Sequence, residues 1–405
     1  MQCLALLLSL SIAEIPYSPP QATTVALHRK IAQLQKRNQR LRHENARLKS
    51  MIDDLLFEQN TQQNAVLSLD GGGERGLLEV LFLEKLEALT GMHTSQLFNI
   101  FSGTSTGSII AGALTAANPQ TGKPLYRASD LLKFYLEDAA QIFPDPELNH
   151  WKSLDGIEHP IYEDSLKNEL LSMYFGEITL GAALADDLII TSGWWSDANG
   201  YEAHVYRKTT EPNTLVVDAT AASSNAPTYF ILGEAPSQAS HTVTMDGALF
   251  ANNPADHGYA AAKQIFPGMP DPLVVSVGTG TYVTPPPTGI ETGGLAKLLG
   301  VSIEGAMEMR RQSTDLVLQA ILDANNNYER IEFSIDQQHS AMDDYTPEQI
   351  IYLISVWETY YKAHREELQQ LADRLVELSL RRSGLMMIEQ NMDTTLQNMD
   401  KYLMR

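Results

Sequence analysis

The chain has 405 residues, of which 43% are hydrophobic and 20% are charged, enough for one large α/β domain with an appendage or for two domains. Its net charge of −21 argues against nucleic acid as the main partner, because neutralising phosphates requires Lys and Arg. The single cysteine, Cys3, excludes an intrachain disulfide and a cysteine-based metal site, and the sequence contains no tight cluster of histidines and carboxylates.

The N-terminal segment, residues 1–27, contains a short apolar stretch at 3–13. It resembles the hydrophobic region and small-residue cleavage site of a signal peptide, although the basic region that should precede it is missing. The alternative is a loose N-terminus, so a cytoplasmic and a secreted protein both stay open. No apolar run reaches the ~18–20 residues of a membrane span, and we expect a soluble or peripheral membrane protein.

A heptad repeat fills residues 28–59. Leu recurs every seven residues from Leu34 to Leu55, and Asn38 and Asn45 lie in the second seam position. This pattern is typical of a coiled coil. Residues 28–49 hold eight basic side chains against one acid, so the outer face of the helix is positive. We predict a homodimer through 28–59, and the alternative is a basic helix that lies on its own domain.

Short β-rich runs alternate with helical patterns from residue 65 onward, which is typical of a parallel α/β sheet. The sequence predicts strands at 66–69, 97–102, 188–191, 203–206, 243–245 and 273–277, and helices at 77–89, 108–117 and 346–382. We expect a catalytic domain at 65–336, closed by a helical region at 337–405. Trp194 and Trp195 are predicted either as an interfacial anchor or as a strand end packed on the core.

A glycine-rich loop, residues 70–76, follows the first predicted strand and precedes a helix. Consecutive backbone N–H groups at Gly71, Gly72 and Gly73 can converge on an anion, which in an acyl hydrolase is the tetrahedral oxyanion. Arg75 adds a positive charge. The loop also matches the dinucleotide fingerprint G-x-G-x-x-G, but that alternative needs an acidic residue at the end of the second strand, and none occurs there.

The second strand instead runs into a G-x-S-x-G pentapeptide, with Gly103, Ser105 and Gly107 between a strand and a helix. A nucleophile elbow requires this context, because the turn is so sharp that only glycines fit beside the serine. Ser105 is therefore the candidate nucleophile.

Asp246 ends a later apolar strand and is followed by Gly247 and by the tripeptide Asn-Asn-Pro at 252–254. Aspartate before glycine is common in turns, so this position says little by itself.

The three motifs together resemble the patatin-like phospholipase family. The segments 221–230, 275–280 and 327–331 are similar to further motifs of that family, and the resemblance covers about residues 65 to 380. It implies a patatin-like three-layer α/β fold with a mostly parallel central sheet, preceded here by the predicted coiled coil. It also implies a lipid acyl hydrolase that acts on phospholipid or another acyl lipid at a membrane surface.

Carried over residue by residue, the resemblance implies a dyad in which Ser105 attacks an ester carbonyl and Asp246 takes the proton. The oxyanion hole is formed by the loop that contains Gly71 to Gly73, water hydrolyses the acyl-enzyme, and neither metal nor cofactor takes part.

Two alternative functions stay open. One is a Ser-Asp-His triad that uses His257, His339 or His364, since the chain order Ser, Asp, His is available. The other is a non-catalytic scaffold that binds lipid or a partner protein.

Overall fold

The chain is described by a computed structural model that covers residues 63–144, 160–233, 242–283 and 295–403, together with nine positions between 33 and 46. For 295–304 and 385–403 only the backbone is described. The described positions between 33 and 46 are helical, but the heptad residues Leu34, Leu48 and Leu55 and the stretch 3–13 lie outside the described residues. The coiled coil and the signal-like stretch therefore stay predictions.

Residues 58–385 form one compact unit, and the site lies within it. The strands are β1 (Ala65–Leu69), β2 (Ile100–Gly103), β3 (Asp187–Ser196), β4 (Gly200–Arg207), β5 (Thr242–Asp246), β6 (Leu273–Val277) and β7 (Tyr328–Ile331). The helices are α1 (Gly76–Thr90), α2 (Thr94–Leu97), α3 (Thr106–Thr115), α4 (Ala128–Lys133), α5 (Asp164–Phe175), α6 (Val216–Ser223), α7 (Ala248–Ala251), α8 (Ala255–Ile265), α9 (Leu295–Leu322), α10 (Pro347–Ala363) and α11 (Arg365–Leu403).

The sheet is mixed and mostly parallel. Five strands run parallel in the order β3-β2-β1-β6-β7, and both β4 and β5 pair antiparallel with β3. Leu69, the last residue of β1, lies opposite Gly103, the last residue of β2. Since the carboxyl ends of parallel strands share one edge, the loops that follow β1 and β2 are neighbours, and ligands of open α/β sheets bind at this edge.

Alternate residues of the inner strands enter two separate cores. In β1, Leu67 and Leu69 join the larger core, where residues of α1 and α3 also lie. Val66, which points to the opposite face, joins a second core with side chains from α8 and α9. Helices therefore cover both faces of the sheet, and the predicted fold class is confirmed.

Several element boundaries differ from those predicted. The strand predicted at 97–102 is shorter in the structure, where Leu97 is the last residue of α2 and β2 begins at Ile100. His93 caps α2, and its Nδ1 accepts a hydrogen bond from the Ser95 amide at 3.0 Å. β3 continues through Trp194, whose ring stacks on His204 at 3.6 Å. The helix predicted at 346–382 is two helices, which meet at His364. Within the described residues, no helix combines the length and apolar character that crossing a membrane requires.

Candidate active site

Ser105 occupies a sharp turn between the end of β2 and the start of α3. Its backbone has φ 53° and ψ −122°, a conformation that costs a non-glycine residue about 1–3 kcal/mol. A Cβ at Gly103 would collide with the carbonyl of Gly107, and one at Gly107 would collide with the carbonyl of Leu69. The turn therefore requires glycine on both sides of the serine, which is the geometry of a nucleophile elbow.

Neighbouring segments hold this turn in place. The Ser105 carbonyl accepts hydrogen bonds from the Ser108 amide at 2.9 Å and the Ser108 hydroxyl at 2.6 Å. The Thr104 hydroxyl donates to the carbonyl of Ala251 at 2.6 Å. Because these bonds hold Thr104 and the carbonyl of Ser105, the elbow keeps its strained shape.

Asp246 ends β5 with 4% of its surface exposed. Its Oδ1 accepts a hydrogen bond from the Ala248 amide at 2.8 Å. Burial raises the pKa of Asp246 to about 6, while the Ala248 amide, the Ser105 hydroxyl and the charge of Lys167 each act to lower it. A carboxylate with a pKa near 6 is a stronger base than an ordinary aspartate and is still ionised at neutral pH.

The glycine-rich loop offers two backbone amides to a ligand. The Gly71 amide is already engaged, because it donates to the carbonyl of Asn252 at 3.1 Å. In the described part of the chain, the amides of Gly72 and Gly73 have no acceptor, and both residues line the cavity that Ser105 and Asp246 also line. Of the three predicted oxyanion donors, these two are available for binding.

Arg75 places a positive group beside these amides. Its Nε donates to the carbonyl of Gly72 at 3.3 Å, and its buried Nη1 has no hydrogen-bond partner among the described residues. The side chain lines the same cavity, so it adds a favourable field for a developing negative charge.

A buried ion pair between Asp70 and Arg330 anchors the start of the glycine-rich loop. Asp70 accepts hydrogen bonds from both terminal nitrogens of Arg330, at 3.0 and 2.6 Å, and its own amide donates to the buried Glu79 at 2.8 Å. Burial raises the pKa of Asp70 to about 6 despite the nearby Arg330. The family motif Asp-Gly-Gly-Gly thus begins with a carboxylate that anchors the loop through a bidentate pair.

The cavity has a volume of about 510 Å³, which is within the usual range for small-molecule sites. Its remaining wall is largely apolar and aromatic, and includes Ile109, Phe134, Ile142, Phe143, Phe230 and Tyr345. Such a wall suits an acyl chain whose ester carbonyl lies at Ser105.

No histidine is among the described residues that line this cavity. His257 bonds to Asp256 at 2.7 Å, His339 to Gln349 at 2.6 Å, and His364 to the carbonyl of Tyr360 at 3.0 Å. The structure therefore does not bring any of the three histidines of the alternative triad to the site. Across the described ranges, no group of three or more His, Cys, Asp or Glu residues could hold a metal ion.

Sequence reasoning missed Lys167, which lines the cavity from α5. Its segment, Asp-Ser-Leu-Lys-Asn-Glu, looks like an ordinary amphipathic helix, so no local signal identified it. Arg330 was within a segment singled out by resemblance, but its pairing with Asp70 joins positions far apart in the sequence.

Comparison with known proteins shows that this chain is similar to one family. The family model described as Patatin-like phospholipase matches residues 67–259. Patatin-like protein 2 of Arabidopsis thaliana is 31% identical over 248 residues, which are 54% of this chain and 60% of that protein. Patatin-like protein 1 of the same plant is 33% identical over 249 residues, which are 53% of this chain and 58% of that protein. The chain thus spans less than two thirds of the length of these relatives.

The crystal structure of VipD from Legionella pneumophila is a more distant match. It has a TM-score of 0.35 and 12% identity, and the match covers 74% of this chain and 67% of that one. At this level the similarity says nothing about chemistry.

Proposed function

Because this chain matches the patatin-like phospholipase family over residues 67–259, we propose that it is a lipid acyl hydrolase. It cleaves carboxylic ester bonds of phospholipids or related membrane lipids. The observation that carries the proposal is the shared position of Ser105, Asp246 and the two available loop amides on the wall of one apolar cavity. The relatives support the class of reaction, and the cavity wall supports an acyl substrate.

The reaction has two halves. Ser105 Oγ attacks the ester carbonyl carbon while Asp246 takes the hydroxyl proton, and the amides of Gly72 and Gly73 bind the resulting oxyanion. The C–O bond of the ester then breaks, the alcohol leaves with the proton from Asp246, and the acyl group stays on Ser105. In the second half Asp246 takes a proton from water while the water oxygen attacks the acyl carbon. The bond between that carbon and Ser105 Oγ then breaks, Asp246 returns the proton to Ser105 Oγ, and the fatty acid leaves.

The test is fatty-acid release from phosphatidylcholine vesicles by the wild type, Ser105→Ala and Asp246→Asn. We expect each single variant to lose activity by several orders of magnitude and the double variant to be no worse than either, because members of one catalytic unit are not additive. Ser172→Ala and Asp373→Asn replace exposed residues outside the cavity and should retain activity. Mass spectrometry of the lyso-lipid product identifies the acyl position.

Two outcomes would contradict the proposal. Near-normal turnover by folded Asp246→Asn would remove the dyad and favour a histidine-dependent mechanism. Absence of acid release by the wild type across phospholipids, lysophospholipids, galactolipids and short soluble esters would favour the non-catalytic scaffold. The assignment of 65–336 as the catalytic domain and of 337–405 as the region that closes it remains part of this proposal.

A further inference from the structure

Lys167 is a buried lysine beside the candidate dyad. Only 1% of its surface is exposed, and burying an ammonium group is unfavourable unless it is paired and hydrogen-bonded. Burial lowers the pKa of Lys167 to about 8, against the opposing influence of Asp246 and Asp164. The unfavourable burial of this ammonium group indicates that Lys167 has a function beside the candidate dyad.

The ammonium group of Lys167 has no donor left for a ligand. It donates to the carbonyls of Ala221 and Ser224 at 3.3 and 3.1 Å and to Oδ1 of Asn225 at 2.5 Å. These are three acceptors for three N–H groups. The ring of Phe230 lies 4.5 Å from Nζ and adds a cation–π contact. Lys167 therefore does not bind substrate by hydrogen bonds, and any influence on the reaction passes through other groups.

Two routes connect Lys167 to Asp246. The first is electrostatic: among the described residues, the charge of Lys167 acts on the Asp246 carboxyl and opposes the effect of burial. The second is mechanical, through Asn225. The Asn225 carbonyl accepts the Asp246 amide at 2.9 Å, and its side chain donates to the Thr244 hydroxyl at 2.7 Å. Asn225 thereby binds β5 at the residue that ends it.

We propose that Lys167 is a positioning residue for the Ser105–Asp246 dyad. Its positive charge favours the ionised form of Asp246, and its bond to Asn225 holds the end of β5 at the elbow. This inference rests on the proposed function. Lys167 lies on α5, outside the sequence motifs of the glycine-rich loop, the elbow and β5.

The experiment compares the pH dependence of kcat/KM for 4-nitrophenyl butyrate in the full chain and its variants. Removing the cation in Lys167→Met or Lys167→Gln removes an influence that lowers the pKa of Asp246. We therefore expect the acid limb of the profile to move to higher pH by a few tenths of a pH unit, because the charge of Lys167 is the smallest of the influences on Asp246. Lys167→Arg keeps the charge and should restore a limb close to that of the wild type. A purely structural role would lower the rate without moving the limb.

Lys208→Met is the matched control. Lys208 also binds two backbone carbonyls, those of Ala183 and Ala185 at 2.8 and 2.6 Å, but it does not line the cavity. Its profile should superimpose on that of the wild type. If Lys167→Met does not fold, the comparison of Lys167→Gln with Lys167→Arg carries the test.

A second measurement separates this inference from the proposed function. In protein labelled with ¹³C at aspartate Cγ, the Asp246 signal is assigned by its loss in Asp246→Asn and is titrated in the wild type and in Lys167→Gln. A higher Asp246 pKa in Lys167→Gln supports the role of Lys167 even if no ester is hydrolysed, which would contradict only the proposed function. An unchanged Asp246 pKa, or an unmoved acid limb in a folded and active variant, overturns the role of Lys167.

Discussion

The backbone amide of Ser105 donates a hydrogen bond to the hydroxyl of Ser223 at 2.8 Å. The carbonyl of the same Ser223 accepts the amide of Gly247 at 3.2 Å, the residue that follows Asp246. One residue at the end of α6 thus binds both the turn that carries the candidate nucleophile and the turn that follows the candidate base. These bonds hold the two turns together without using the side chain of Ser105 or Asp246.

The strain at Ser105 predicts an unusual order of stability among its variants. Ser105→Ala keeps a Cβ at φ 53°, whereas Ser105→Gly has none and adopts this conformation without steric cost. We expect Ser105→Gly to be more stable than Ser105→Ala by about 1 kcal/mol or more, measured by urea unfolding. At an ordinary helical position such as Ser172 the order should be reversed, because glycine destabilises helices. The opposite order at Ser105 would mean that the turn is relaxed.

Asp246→Asn should stabilise the protein at alkaline pH while it removes activity. The pKa of Asp246 rises from 3.8 to about 6 on folding, so the folded state binds this proton more tightly than the unfolded state. The stability that the proton contributes is complete below pH 4 and is lost as the pH rises through 6. At pH 8 the wild type therefore carries a penalty on the order of 3 kcal/mol.

Thermal unfolding of both proteins at pH 4.5 and pH 8 tests this prediction. Asp246→Asn should have the higher Tm at pH 8, and the difference should shrink at pH 4.5, where folded wild type holds the proton. Equal differences at the two pH values would show that Asp246 ionises normally.

Part of this site could be predicted from the sequence, because the glycine-rich loop and the elbow each come directly after a predicted strand. The loop after β1 and the elbow after β2 are neighbours if these two parallel strands are adjacent, as they are here, so Gly72 and Ser105 lie at the same edge of the sheet. Asp246 ends a strand that runs antiparallel to β3, a pairing that no periodicity indicates, and only the resemblance connected it to Ser105.

The remaining features depend on tertiary packing. β7 was not predicted as a strand because Tyr-Glu-Arg-Ile places two charged residues in its centre, where Arg330 is stabilised by the distant Asp70. Likewise, the break between α10 and α11 at His364 has no glycine or proline to mark it. Lys167 is the clearest case, since its acceptors are residues 54 to 58 positions away.

Glu74→Gln should flatten the dependence of stability on pH. Glu74 is buried beside the loop glycines, and its Oε1 accepts a hydrogen bond from Gln349 at 2.8 Å. Burial raises its pKa from 4.5 to about 8, so the stability contributed by the bound proton falls continuously as the pH rises from 4.5 to 8. Gln cannot ionise and retains an oxygen for Gln349.

We therefore expect the Tm of the wild type to fall more steeply than that of Glu74→Gln between pH 5 and pH 8. Glu377→Gln removes an exposed carboxylate on α11 and should follow the wild type. Parallel curves for the wild type and Glu74→Gln would show that Glu74 is already ionised when folded.

The last prediction concerns the heptad repeat at 28–59, which we propose as a homodimer interface. A strict seven-residue repeat keeps one apolar seam facing a partner, and an isolated helix of this length is marginal in water. Two Asn residues in the seam, Asn38 and Asn45, suit a self-paired helix because a seam Asn fixes the register at some cost in stability. Since the outer face is basic, the dimer should strengthen as salt screens the repulsion.

The test replaces Leu41 and Leu48, both in the seam, with Lys and measures mass by light scattering at micromolar concentration in moderate salt. The matched control places the same two lysines at Gln39 and Ala46, outside the seam. We expect the wild type and the control to be dimers, the seam variant to be a monomer, and all three to hydrolyse a soluble ester equally. A monomeric wild type, or a seam variant that stays dimeric, would contradict the interface and favour a helix that lies on the acidic remainder of its own chain.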